Sequence, residues 1–119
     1  MKRLLCCNIT VMDDDAHRCI FLNFKKQFVE RFLIMLDAME LGRLGVLLLC
    51  DCDSCDNCVE VSYTESGLSL ELLTPNIQLM LSHEQLQLIK CACIDSIFEN
   101  YGSPHVDFEC GDCDLTISF

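Results

Sequence analysis

Val59-Glu-Val-Ser-Tyr63-Thr-Glu-Ser-Gly67-Leu-Ser-Leu-Glu-Leu72 alternates apolar and polar residues on both sides of a short polar break. Folded back at Thr64 to Gly67, it sets Tyr63 opposite Leu68, Val61 opposite Leu70 and Val59 opposite Leu72. Every large apolar group then shares one face, which is the condition that fixes strand register. A tight turn at Pro75-Asn76 adds a third strand, with Leu72 opposite Leu79 and Leu70 opposite Leu81. Glu60, Ser62, Ser69, Glu71 and Gln78 fall on the other face, so the stretch reads as an antiparallel meander, packed on one side and solvated on the other.

The flanking segments extend this pattern. Ser82 with Gln85 forms a capping box, and Leu86, Ile89, Cys93, Ile97 and Tyr101 make the apolar stripe of a helix that stops at Gly102 and Pro104. A final hairpin turns at Gly111-Asp112 and places Cys110 opposite Cys113, Phe108 opposite Leu115 and Val106 opposite Ile117. Upstream, Phe24, Phe28, Val29, Phe32, Leu33, Leu36 and Met39 repeat at helical spacing from a cap at Asn23 to Gly42. Val46 to Cys50 reads as a buried strand, and Arg3 to Met12 with Arg18 to Leu22 as an opening hairpin. The expected fold class is α+β: a single compact domain over residues 1–119, with an antiparallel sheet (meander plus C-terminal hairpin) packed against two helices.

Composition narrows the function. The chain of 119 residues carries a net charge of -11. Residues 1–50 hold seven basic and six acidic groups, whereas residues 51–119 hold Lys90 against thirteen acids. That field repels nucleic acid and anionic membrane and steers a basic partner toward the second half. Glu60 and Glu71 on the meander, with Asp107, Glu109 and Asp114 on the last hairpin, are the expected partner-binding carboxylates, because their apolar neighbours alternate inward. The ordinary reading of such charge is solubility alone.

Eleven cysteines are the second unusual feature. Asn8 and the aspartates at 13–15 break the apolar start too soon for a signal peptide, so a reducing, cytoplasmic setting is expected and the thiols are not read as a disulfide framework. Cys6 and Cys7 point to opposite faces of a strand, and Cys91 and Cys93 lie far apart around a helix; these, with Cys19, read as small packing residues. Cys50-Asp-Cys52-Asp-Ser-Cys55-Asp-Asn-Cys58 is different, because no regular element explains it and a loop can wrap sulfur around a soft ion. Two knuckles, Cys55 with Cys58 and Cys110 with Cys113, make the favoured zinc set, with Cys50 and Cys52 as alternative ligands; Cys110 and Cys113 also belong to the apolar face of their hairpin, where packing is the leading reading of that pair.

Enzymatic readings fare worse. Cys55 and Cys58 lead into a strand rather than the helix N-terminus that activates a redox thiolate, and the neighbouring Asp53 and Asp56 raise thiol pKa. The histidines, His17, His83 and His105, sit where capping or exposure explains them, and no glycine-rich phosphate loop is present. A ferredoxin-type run fails at Ser62, and the aspartates lack the spacing of a calcium loop. The expected function is a small acidic binding module without catalytic activity, an inhibitor or immunity-type antagonist of a basic, nucleic-acid-handling protein. The alternative is a zinc-binding cysteine-knuckle module with a structural or sensing role.

Overall fold

The structure, a computed structural model, describes residues 2–14, 17–52, 57–72, 76–98 and 104–119. In chain order it runs β1 (Lys2–Asp13), β2 (Arg18–Asn23), α1 (Lys26–Glu40), β3 (Val46–Asp51), β4 (Cys58–Thr64), β5 (Gly67–Leu72), β6 (Ile77–Leu81), α2 (His83–Phe98), β7 (His105–Cys110) and β8 (Cys113–Ser118). All eight strands join one sheet in the order β6-β5-β4-β3-β1-β2-β8-β7.

The expected antiparallel sheet is in fact mixed. β1 runs parallel to β3 and β2 runs parallel to β8, while the other neighbours are antiparallel. The physical reason lies in the connections. β2 leaves the sheet through α1 and the chain returns as β3 on the far side of β1, antiparallel to β2; because β1 and β2 are themselves antiparallel, β3 runs parallel to β1. Apolar alternation reports which face a residue uses but says nothing about which strand lies beside it.

One face of the sheet is apolar throughout. Leu5, Cys7 and Ile9 of β1, Leu47 and Leu49 of β3, Val59 and Val61 of β4, and Leu115 and Ile117 of β8 are all buried. α1 and α2 pack on this inner face and against each other. α1 contributes Val29, Phe32, Leu36 and Met39, and α2 contributes Leu86, Ile89, Ala92 and Cys93. Each such large apolar side chain withdrawn from water stabilises by roughly 1.5–3 kcal/mol before conformational entropy is subtracted.

Local chemistry sets the ends of the elements. Ser82 and Gln85 form the reciprocal capping box: the Ser82 amide donates to Gln85 Oε1 at 2.8 Å and the Gln85 amide donates to Ser82 Oγ at 3.1 Å. α1 begins later than its apolar spacing implies. Asn23 is the last residue of β2, the N-cap is Lys25 with no side-chain cap, and Phe24 belongs to the strand side, its amide bonded to the Ser118 carbonyl. Phe24 still enters the core by stacking on Phe32, with ring centroids 4.2 Å apart, and on Phe119 at 6.0 Å. Burial of that ring explains why it mimics helical periodicity.

The β4–β5 and β7–β8 registers match the pairs expected from alternation, Val59 with Leu72 and Cys110 with Cys113 among them. In β5–β6 the partners are Leu72 with Ile77 and Leu70 with Leu79, two residues away from the expected pairing. A two-residue slip keeps every side chain on its face, so alternation does not distinguish the two registers.

Lys90 locks the helices together. Its Nζ lies 2.6 Å from Asp37 Oδ1 and also pairs with Glu40 of α1. Burial opposes charge on Lys90, but the two carboxylates outweigh it and raise its pKa above the ordinary value.

Gly67 opens β5 at a φ of 132°, and a Cβ there would run into the carbonyl oxygen of Leu81. Gly67→Ala is expected to cost about 3 kcal/mol or more, from left-handed backbone plus overpacking. Gly42 has a φ of 72° and open space around it. Gly42→Ala should therefore cost only about 1 kcal/mol. Urea midpoints of the two variants check the difference, and equal midpoints would contradict the close approach at Leu81.

Candidate functional site

The outer face of the sheet carries the chemistry, in two places set by strand order. The first lies on β1, β3 and β4. Cys6 pairs with Cys50, and Cys50 with Cys58, so three adjacent strands present thiols at one level. Cys6, Cys50 and Cys58 alternate with the buried Leu5, Cys7, Leu49 and Val59, and are therefore on the outer side, each half-buried. Cys52 follows Cys50 by two residues and keeps the same side; its amide donates to the Cys7 carbonyl at 3.0 Å, which ties the end of β3 across β1. Cys6 Sγ and Cys52 Sγ are 2.7 Å apart, and Cys58 Sγ and Cys50 Sγ 3.5 Å.

The second place lies on β2, β8 and β7. Cys19 pairs with Asp114, and Asp114 with Glu109. His17 reaches the same spot from the turn before β2, placing Nε2 2.8 Å from Asp114 Oδ2. The ligand atoms of His17, Cys19 and Asp114 all lie within 4.8 Å of one another, a donor set able to hold a metal ion. Asp107 accepts from Thr116 Oγ1 at 2.7 Å one step along the hairpin. A shallow cleft of about 320 Å³ runs beside these groups, lined in part by Cys19, Phe108, Glu109 and Thr116.

The carboxylates singled out from sequence take the outward positions expected of them. Asp107 and Glu109 are exposed, and Asp114, Glu60 and Glu71 are half-exposed. Like charges meet directly: Glu60 is the cross-strand partner of Glu71, and Glu109 of Asp114. Such pairs destabilise a sheet by a few tenths of a kcal/mol up to about 1 kcal/mol. β3, β1 and β2 stand between β4 and β8 along the sheet, while the edge strands β6 and β7 approach each other and leave β6 between Glu71 and the β7 carboxylates.

Of the favoured zinc set, Cys55 lies outside the described residues. Cys58 is on the outer face of β4, whereas Cys113 is buried on the inner face of β8 and Cys110 packs beside it against the core. Three strands separate Cys58 from that pair. Burial, then the Asp114 charge, pushes the Cys110 thiol up; burial, then Cys19 and Cys110, does the same for Cys113. The structure instead sets Cys6, a residue that sequence reading assigns to packing, beside Cys52, and Cys50 beside Cys58, as two close sulfur pairs on the outer side of β1, β3 and β4. Cys19 and His17 were likewise not legible as donors. Pairing of β1 with β3 and of β2 with β8 creates both groupings, and neither pairing leaves a mark on residue spacing.

Of the remaining cysteines, Cys7 and Cys93 behave as packing, whereas Cys91, expected to do the same, faces solvent. Cys7 and Cys93 are fully buried, and burial pushes both thiols up, Cys93 to about 12 with a further contribution from Asp37. Cys91 is exposed on α2. No helix among the described residues is long and apolar enough to cross a membrane. No protein-family model, curated protein or solved structure matches the chain.

Keeping Cys93 neutral contributes stability that is fully present below its ordinary value of 9.0 and is lost as pH rises toward about 12. The raised Lys90 adds a loss that begins only above its ordinary 10.5. Stability measured by urea at pH 7 to 11 should therefore begin to fall near pH 9. Cys93→Ala should cost about 1 kcal/mol at pH 7 and lessen the first part of that fall, to which the raised thiols of Cys7, Cys110 and Cys113 also contribute. An unchanged alkaline profile in the variant would place Cys93 outside the core.

Proposed function

We propose that the protein is a binding module with no catalytic role of its own, whose outer face on β7 and β8 docks a basic protein. The observation that carries this reading is the direct opposition of Glu109 and Asp114, with Asp107 two residues before Glu109 on the same face. Among the described residues no lysine or arginine is paired with any of these three, and Lys90, the only lysine or arginine of residues 51–119, is engaged by Asp37 and Glu40. Carboxylates held against one another at a cost in stability are relieved by a cationic groove, and their field speeds encounter with it. An inhibitor or immunity-type antagonist of a nucleic-acid-handling enzyme fits this chemistry, because the acidic face competes for a groove that otherwise takes phosphates. Glu60 and Glu71, on β4 and β5, act as a second acidic contact for the same partner.

A second reading, a zinc-binding module with a structural or sensing role, is favoured by the thiols collected on β1, β3 and β4. It presupposes a reducing, cytoplasmic setting in which those thiols stay reduced. The two readings are compatible, since a metal on one wing of the sheet leaves the β7–β8 face open.

Titration with a deca-arginine peptide tests the first reading. Affinity should fall as salt rises, and Glu109→Lys with Asp114→Lys should weaken binding at least about fivefold while leaving the circular dichroism unchanged. The control is Glu30→Lys with Glu84→Lys, two exposed helix positions; Asp37 is unsuitable because it holds Lys90. Binding indifferent to salt, or weakened equally by the control pair, contradicts docking at the hairpin.

A further inference from the structure

We infer that Cys6, Cys50, Cys52 and Cys58 form one thiolate site for a soft metal ion, with zinc as the resident ion. This rests on the zinc reading and gives it a ligand set different from the one that spacing suggests.

The first argument is placement. Cys6, Cys50 and Cys58 stand side by side on β1, β3 and β4, and Cys52 rejoins them through its amide bond to the Cys7 carbonyl. Paired strands hold their Cα positions, so little chain entropy is lost when the thiols close on an ion. The next level on the same outer face carries Leu4, Leu48, Glu60 and Glu71, with Leu4 66% exposed; it lies outside the packed core. Cysteine used as a small hydrophobe belongs on the inner side, where Cys7, Cys93 and Cys113 are found. Packing therefore does not account for this row.

The second argument is distance. Four sulfurs bound tetrahedrally at about 2.3 Å are about 3.8 Å from one another. Cys50 and Cys58 at 3.5 Å already approach that edge and Cys6 and Cys52 stand at 2.7 Å; no three of the four sulfurs lie within 4.8 Å of one another, so the two pairs close on one ion by side-chain rotation toward each other. The third argument is donor chemistry. Thiolates select zinc, cadmium or copper(I) over magnesium or calcium. Each thiol gives up one proton to the solvent as its sulfur binds, so four protons leave per ion and the site carries a net charge of about -2. A sheet that binds zinc here is pinned at the junction of β1, β3 and β4, which suits a structural or metal-sensing role.

The test uses the full chain, reduced and handled anaerobically, with cobalt(II) as the probe. The expected result is uptake of about one equivalent, with intense tetrahedral d–d bands and a thiolate-to-cobalt charge-transfer band, both bleached by zinc. Cys50→Ser with Cys58→Ser should abolish these bands, whereas Cys91→Ser and Cys113→Ser should leave them intact. X-ray absorption at the zinc edge should count four sulfurs in the parent and three in Cys6→Ser, a readout that does not depend on the double variant folding. Retention of the full spectrum by the Cys50→Ser, Cys58→Ser protein, with loss in Cys19→Ser or Cys113→Ser, would overturn this ligand set and leave the zinc reading standing. Failure of the reduced, folded parent to take up cobalt or zinc would overturn both. A mixed nitrogen, oxygen and sulfur shell in the parent would move the ion to His17, Cys19 and Asp114 and also overturn the four-thiolate site.

Discussion

The rest of the structure depends on β1. Its first six residues, Lys2 to Cys7, pair in parallel with β3, and its last six, Asn8 to Asp13, pair antiparallel with β2. One strand thus joins two wings, β3 through β6 on one side and β2, β8 and β7 on the other. Strict alternation makes this joint possible: Leu5, Cys7 and Ile9 point to the helices, and Cys6, Asn8 and Thr10 point away. A change of face midway along β1 would leave one wing with its apolar side in water, and the penalty of several buried leucines would fall on that wing at once.

From this joint follow both sites on the outer face. Cys6 stands beside Cys50 because β1 and β3 run in the same direction, and Cys19 stands beside Asp114 because β2 and β8 do. Each grouping is made from residues distant in the chain, so both exist only in the folded protein. The two differ in what they offer. The β1–β3–β4 row is a set of soft sulfur donors, whereas the β2–β8–β7 row adds imidazole and carboxylate and lies next to the exposed acidic hairpin. The sulfur donors and the acidic hairpin therefore lie on different strands of the sheet, β1, β3 and β4 for the one and β7 and β8 for the other.

Much of the local structure was legible in the sequence. The β4–β5 hairpin, the last hairpin and the capping box of α2 each follow from interactions among residues near in the chain, whereas alternation fixes the face of β6 but not its register on β5. The start of α1 was not, because Phe24 satisfies helical spacing while being buried by stacking on Phe32 and Phe119 from the strand side. Strand order was not legible either. Nothing in Leu4 to Cys7 states that its neighbour is Leu48 to Asp51, since that contact is set by the length and packing of α1 rather than by either strand. The outward direction of Glu60, Glu109 and Asp114 therefore follows from alternation, whereas the outer-face neighbours of Cys6 and Cys58 depend on strand order, which residue spacing does not carry.

The most direct measurement of the central claim, that β1 carries Cys6 to the thiols of β3 and β4, is thiol bridging in the reduced native protein. Dibromobimane joins two sulfurs only when they are close, and peptide mapping then identifies the pair. A bridge between Cys6 and Cys52, whose sulfurs are 2.7 Å apart, is the expected product. Recovery of Cys58 bridged to Cys110 or Cys113, with Cys6 unreacted, would contradict the strand order on which the fold and the thiol site both rest.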